Sequence, residues 1–184
     1  MRDEELLDQL LEWVRTRYFG KYRGIVTNNN DETERGRLKV QVPAVLGTLE
    51  VWAMPCVPYA GKGVGFYSLP EKQTGVWVEF EAGDPSYPIW TGCFWADGEL
   101  PGKSKAALKV WKTEKLSLRI DDDKDTLVIE TDGGSKVELA KDVLTESGGS
   151  KHTVGKSGVI SDAGKKTELT SSSFNVNGGA LEVT

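Results

Sequence analysis

Residues 38–42 read LKVQV, a short run of β-favouring residues, and four runs of the same kind lie around it in the chain. Sequences that form turns separate these runs, such as NNND at residues 28–31, AGKG at 60–63 and EAGDP at 81–85. Five or six strands of this length suit a small closed barrel. The remaining predicted strands are residues 22–27, 51–57, 75–81 and 89–95.

Closing such strands into a Greek-key OB barrel removes their exposed edges, so we predict an OB-fold domain over residues 21–96. Closure should bury the large aromatic side chains of this segment, namely Trp52, Trp77, Phe80 and Trp90. GKGVG at residues 61–65 is rich in glycine, but FYSLP follows it where a phosphate-binding loop would open a helix. We therefore interpret it as a barrel loop.

An amphipathic helix is predicted before the barrel, over residues 3–18 of an amino-terminal segment that spans residues 1–20. Acidic residues at 3–5 and the arginines at 15 and 17 suit the two ends of the helix dipole, and Gly20 would stop the helix. Two interpretations stay open: the helix folds back on its own barrel, or it docks on a partner subunit. Its apolar residues are Leu7, Leu10, Leu11, Val14 and Tyr18.

The composition changes at a predicted linker, residues 97–104. All seven prolines lie at or before Pro101 and all six tryptophans at or before Trp111, so the rest of the chain has no large aromatic core. Apolar and polar residues alternate in short runs at 116–120, 127–129, 137–139, 159–160, 174–176 and 181–183. Polar, glycine-rich turns separate the runs, which predicts a meander of short strands over residues 105–184.

This carboxyl-terminal segment has few apolar residues. From Asp121 onward only 15 of 64 residues are Leu, Ile, Val or Phe, which is little to offset the entropy of ordering the chain. Either the segment is disordered, or several chains wind together and share an apolar axis. Regular alternation favours the second, since disorder does not need an apolar residue at every other position.

Composition excludes several functional classes. The formal net charge of -5, with acidic and basic residues interleaved, argues against a surface for nucleic-acid phosphates or for membranes. A single histidine, His152, excludes a histidine-based triad or a multi-histidine metal site within one chain.

Cys56 and Cys93 are interpreted as reduced core residues. The run DDDKD at 121–125 lacks the glycine and glutamate of a calcium loop and is interpreted as a solvated turn. We expect no catalytic residue, no cofactor and no metal.

Residues 22–101 resemble phage baseplate assembly protein V and the VgrG-like spikes of contractile injection systems. Five segments carry the resemblance in the same order: KYRGIV at 21–26, RGRLKVQVP at 35–43, WAMPC at 52–56, PEKQTGVWVEFEAGDP at 70–85 and PIWTG at 88–92. The second segment is similar to a barrel strand of that family.

The resemblance implies a homotrimer that forms a membrane-piercing needle under the tail tube. OB barrels would surround the axis at the baseplate hub, and the carboxyl-terminal segments would form an intertwined trimeric β-helix or β-prism stalk. Candidates for the trimer core are the apolar members of the alternating runs: Leu127, Ile129, Val137, Leu139, Val154, Phe174, Val176, Leu181 and Val183. His152 either meets its two copies on the threefold axis or is an ordinary exposed histidine.

The implied partners are the hub and tube-initiator proteins, a PAAR-type protein at the tip and, transiently, a target membrane. Leu7, Leu10, Leu11, Val14 and Tyr18 are candidates for hub docking, and Ala180, Leu181 and Val183 for contact with the tip protein. Nothing at the amino terminus resembles a signal peptide, since residues 2–5 are charged. We therefore expect assembly in a bacterial or archaeal cytoplasm, into a virion baseplate or an injection particle.

Two departures from related spikes affect function. Only a short linker separates barrel from stalk, so the sequence lacks the cell-wall-cleaving domain of some relatives, and the last residues lack the histidine pair that binds iron at some tips. The alternative functions are an OB-fold nucleic-acid-binding protein and a peptidoglycan hydrolase-associated spike. For the first, bases would stack on aromatic rings, of which the segment offers Trp52, Tyr59, Phe66, Tyr67 and Trp77.

Overall fold

Two units make up the fold, one up to Glu99 and the other from Leu100. A computed structural model describes residues 2–183, apart from the side chains at positions 2, 3 and 182. Met1, Thr184 and the Asp3 side chain, which belong to the predicted segments, lie outside the described residues. The chain is mainly β with one amino-terminal helix of appreciable length.

The first unit begins with helix α1 (Arg2–Arg15), which ends three residues before the predicted boundary. Near this end the Thr16 hydroxyl donates to the Glu12 carbonyl, 3.0 Å away, and the Tyr18 amide donates to Gly83 in the barrel, 2.8 Å away. The second bond ties the backbone to the barrel, so the helix cannot continue through Tyr18.

Five strands then close into a barrel in the order β1-β2-β3-β7-β6, with β6 pairing back onto β1. All neighbours are antiparallel except β3 and β7, which are parallel through the pairs Met54–Ile89 and Pro55–Trp90. Counting only the five barrel strands, the order is 1-2-3-5-4, with one parallel pair that closes the cylinder. The strands are β1 (Tyr22–Asn28), β2 (Leu38–Gln41), β3 (Glu50–Pro55), β6 (Gly75–Phe80) and β7 (Pro88–Cys93).

Shorter elements connect these strands. Helix α2 (Pro43–Leu46) follows β2, and a two-residue hairpin of β4 (Ala60–Gly61) and β5 (Val64–Gly65) follows β3. A 3-10 turn (Glu81–Gly83) joins β6 to the segment before β7.

The barrel core is built by strand alternation. In β2 and β6 every second residue points inward, and Leu38, Val40, Val76 and Val78 are fully buried. Phe80 and Trp90 are buried as predicted. The full set of buried core residues is Val26, Leu38, Val40, Val42, Ala53, Val76, Val78, Phe80 and Trp90.

The predicted burial of Trp52 and Trp77 is wrong. Each lies between inward-pointing neighbours on its strand, so alternation turns both rings outward, and both are only half-buried. An arginine covers each ring: the Arg37 guanidinium lies 5.1 Å from the centre of Trp52, and that of Arg23 lies 5.3 Å from Trp77. The interpretation of Cys56 and Cys93 as core residues is also wrong, because both are exposed; both thiols are free.

The second unit is one sheet of ten strands in sequence order. From β8 to β16, every strand pairs antiparallel with the next strand along the chain. The predicted intertwined trimeric β-helix or β-prism involves several chains and stays a prediction. The strands are β8 (Leu108–Lys112), β9 (Leu116–Asp121), β10 (Thr126–Thr131), β11 (Lys136–Leu139), β12 (Val143–Ser147), β13 (Ser150–Gly155), β14 (Gly158–Asp162), β15 (Lys166–Leu169), β16 (Phe174–Val176) and β17 (Leu181–Val183).

Candidate functional site

The register of the ten-stranded sheet sorts its side chains between two faces. Residues directly opposite each other on antiparallel strands point to the same face, and successive residues of one strand point to opposite faces. Following the pairs from β8 to β17 therefore shows which residues of distant strands share a face.

One line of paired residues is apolar without interruption. It takes one residue from each strand from β9 to β17, and each residue pairs directly with the next. We call this line the apolar column. Its members are Ile120, Leu127, Leu139, Val143, Val154, Val159, Leu169, Phe174 and Val183.

A second line runs beside it on the same face, two residues away along each strand, and we call it the mixed column. It starts as Trp111, Leu118, Ile129 and Val137 and ends as Val176 and Leu181. Between these apolar ends, four polar residues follow one another on β12 to β15. We call them the polar band: Thr145, His152, Ser161 and Thr167. The two columns together form the apolar face.

The apolar face is uncovered in the single chain. Among the described residues of the second unit only Val128 is buried, and it lies on the opposite face. Val154 is 42% exposed, Leu169 52% and Val183 59%. Monomeric soluble proteins rarely expose an apolar patch that continues over nine strands, so this face is typical of an interaction surface.

The opposite face has the character of a solvated surface. Three ion pairs lie on it: Lys136 with Glu138 at 2.9 Å, Lys151 with Glu146 at 3.5 Å and Lys166 with Glu168 at 3.0 Å. Hydrogen bonding to Glu138 raises the pKa of Lys136 above its ordinary value. The contrast between the faces means that only one of them needs a partner.

All nine residues that the sequence offered as trimer-core candidates lie on the apolar face. Five belong to the apolar column (Leu127, Leu139, Val154, Phe174 and Val183) and four to the mixed column (Ile129, Val137, Val176 and Leu181). Sequence reasoning missed other members, among them Trp111, Val143, Val159 and Leu169. Leu169 stands alone between polar residues, and each of the other three has an apolar neighbour that points to the opposite face, so only the strand register brings the four into line.

The hub-docking candidates separate into two groups. Leu7, Leu10, Leu11 and Val14 lie on α1, are exposed and share one side of the helix with Leu6 and Trp13. Tyr18 lies beyond the helix and packs on its own barrel, with ring centres 6.1 Å from both Tyr22 and Phe80.

The tip candidates lie at the far edge of the sheet. Leu181 and Val183 are exposed on the edge strand β17, and Ala180 is the last residue of the turn before it. The run at 121–125 forms the hairpin turn between β9 and β10, where Lys124 lies 3.7 Å from Asp121 and Lys109 pairs with Asp122.

The five aromatic rings that could stack on nucleic-acid bases lie in two different environments. Arginines of the same chain already cover Trp52 and Trp77, and Phe94 packs against Trp77 with ring centres 5.0 Å apart. Tyr59, Phe66 and Tyr67 are exposed around the β4–β5 hairpin, where they help to line a cavity of about 450 Å³ with Trp90 and Leu69. The lining of this cavity has one acidic and one basic side chain, Glu34 and Arg35, and these do not form a basic stripe.

Within residues 2–183, one chain brings together no group of three or more His, Cys, Asp or Glu side chains able to hold a metal ion. None of the helices described in this range is both long enough and apolar enough to cross a bilayer.

The strand order 1-2-3-5-4 around a closed cylinder, with a single parallel pair, defines the first unit as an OB-type barrel. Residues 22–95 match the sequence family described as the type VI secretion system/phage-baseplate injector OB domain. The resemblance to baseplate and VgrG-like spikes is confirmed over this stretch. Helix α1 and the ten-stranded sheet lie outside the matched residues. No curated protein matches the chain.

Proposed function

We propose that this protein is the central spike of a phage baseplate or a related contractile injection system, and that it acts as a homotrimer. The observation that carries the proposal is the uncovered apolar face on a chain whose barrel matches the injector OB-domain family. The baseplate-related structural role follows from the barrel; the trimer, the needle and the piercing of a membrane are our proposal.

Three identical sheets would turn their apolar faces toward a common axis and form a triangular prism. Packed sheets lie about 10 Å apart, so side chains from the three apolar columns would meet in one core. The ion-paired faces would remain in water. Because pairing within each sheet is complete along the chain, this stalk is held together by faces and not by exchanged strands.

A rigid stalk of this kind suits a mechanical role. Contraction of a sheath would push the trimer through a target envelope, and the force would be carried by ten strands that are hydrogen-bonded along the stalk. This role uses no catalytic residue. The exposed apolar side of α1 would dock on the hub and tube-initiator proteins, and β17 would meet a PAAR-type tip protein.

A matched pair of variants on one strand tests the trimer. Val154 lies in the apolar column and its neighbour Thr153 on the opposite face. In Val154→Asp three carboxylates would be buried together without partners, which costs several kcal/mol for each ion. We expect Val154→Asp to reduce the mass in solution from three chains to one, and Thr153→Asp to leave it unchanged.

Sedimentation equilibrium of the two full-length variants provides the measurement. If Val154→Asp stays trimeric while it remains folded by circular dichroism, the apolar face is not the assembly surface. Dissociation of both variants alike would contradict the assignment of the two faces.

A further inference from the structure

The polar band is the one interruption of an otherwise apolar face. Thr145, His152, Ser161 and Thr167 occupy four consecutive positions of the mixed column, while the apolar column beside them continues as Val143, Val154, Val159 and Leu169. Around the band lies a shallow hollow of about 420 Å³, whose other lining residues are Ser147, Ser150, Lys151, Asp162, Ala163 and Lys165.

Burial would change the energetics of this band. If three faces close on one axis, its side chains lose water, and each polar atom then needs a new partner. Hydroxyl groups can donate and accept among themselves across the strands. The imidazole is the exception, since one of its nitrogens is engaged and the other is left to find a partner.

The engaged nitrogen is Nδ1, which lies 2.8 Å from Ser161 Oγ on the neighbouring strand. When Nδ1 donates its proton to that hydroxyl, Nε2 carries the lone pair. An imidazole held through one ring nitrogen, with a lone pair on the other, is how histidine is prepared for a metal ion. Ser161 is then a positioning residue, and Thr145 and Thr167 flank the pair on either side.

We infer that the three His152 side chains of the assembled spike bind one divalent transition-metal ion, of the Zn²⁺ class, inside the stalk. The inference rests on the trimer proposed above, because one chain supplies one histidine. Three imidazoles with a fourth position open to water form a known zinc coordination set, and the hollow around His152 offers room for that water.

The test uses tag-free, full-length protein freed of metal by a chelator and titrated with CoCl₂ and with ZnCl₂. We expect one ion for every three chains by calorimetry and by native mass, and a visible absorption band for Co²⁺. His152→Ala and the size-matched His152→Gln should both lose the ion and keep the trimer mass. Ser161→Ala should bind about 10–100-fold more weakly.

Thr153→Ala is the matched control, because Thr153 is the neighbour of His152 on β13 but lies on the opposite face of the sheet, and this variant should bind the ion as the wild type does. One ion per chain, binding that survives in His152→Ala, or a trimer that takes up no ion would each overturn the inference and leave the spike proposal standing. A wild-type protein with the mass of one 20.2 kDa chain would instead contradict the spike proposal itself.

Discussion

Asp31 organises the loop between β1 and β2. Its carboxylate accepts bonds from the Arg37 guanidinium at 2.8 and 3.1 Å, from the backbone amides of Thr33, Arg35 and Arg37, and from the Thr33 hydroxyl. The side chain is 3% exposed. These donors, the Arg37 guanidinium above all, hold the pKa of Asp31 far below its ordinary value.

The lowered pKa of Asp31 predicts how the stability of the barrel changes at low pH. Because the folded-state pKa lies below the unfolded value, the ionised carboxylate stabilises the barrel at neutral pH. The contribution is lost as the pH falls below about 4 toward the lowered pKa. We expect Asp31→Asn to lower the melting temperature at neutral pH, by an amount that shrinks as the pH approaches about 2.

Thermal unfolding followed by tryptophan fluorescence measures the melting temperature of the first unit, because five of the six tryptophans lie before Glu99. Glu32→Gln is the control, because Glu32 is an exposed acid of the same loop. A melting difference for Asp31→Asn that is the same at both ends of the pH range would contradict the assignment.

The aromatic residues show which side-chain burial the sequence predicts and which it does not. The burial of Phe80 and Trp90 could be predicted, but Trp77 lies in VWVEF, where apolar residues on both faces hide the direction of alternation. Only the pairing of β6 with β1 and β7 settles which residues point inward. The arginine over Trp77 comes from β1 and the arginine over Trp52 from the loop before β2, so no local pattern could have shown them.

Among the elements, the hairpins of the second unit set the register on which the apolar face depends. Gly158 begins β14 with φ +134°, and a Cβ there would clash with the Leu169 carbonyl oxygen of β15. We expect Gly158→Ala to separate β14 from β15 and to destabilise the sheet by about 1–3 kcal/mol.

Urea unfolding followed by circular dichroism measures the loss, and hydrogen exchange should localise it to β14 and β15. Gly133→Ala is the matched control, because a Cβ in that turn meets only the Thr131 side chain at ordinary contact distance. Equal effects of the two substitutions would show that the close approach at Gly158 does not fix the register.

Elements were predictable where alternation is local. Leu127 and Ile129, or Val137 and Leu139, are spaced by two within one strand, so their shared face follows from the sequence. The apolar column could not be predicted, since it joins nine strands through pairs such as Val143–Val154 and Leu169–Phe174. The sequence predicts that the helix ends at residue 18, three residues after the end of α1. The bond from the Tyr18 amide to the Gly83 carbonyl is a tertiary contact, which the helical pattern does not show.

At the scale of the whole molecule, the two units differ in how they are stabilised. The barrel buries nine core residues of its own, whereas the sheet buries Val128 alone among its described residues. A sheet with one bare apolar face gains most of its stability from whatever covers that face. The molecule therefore combines a domain with its own core and a sheet that, under the trimer proposed above, completes its core on assembly.

The mass of the wild-type chain in native solution tests this dependence on assembly most directly. Native mass spectrometry of the full-length protein at micromolar concentration should give three times 20.2 kDa, with no appreciable population of single chains. A well-ordered protein whose mass is that of one chain, and whose second unit is protected from hydrogen exchange, would contradict it.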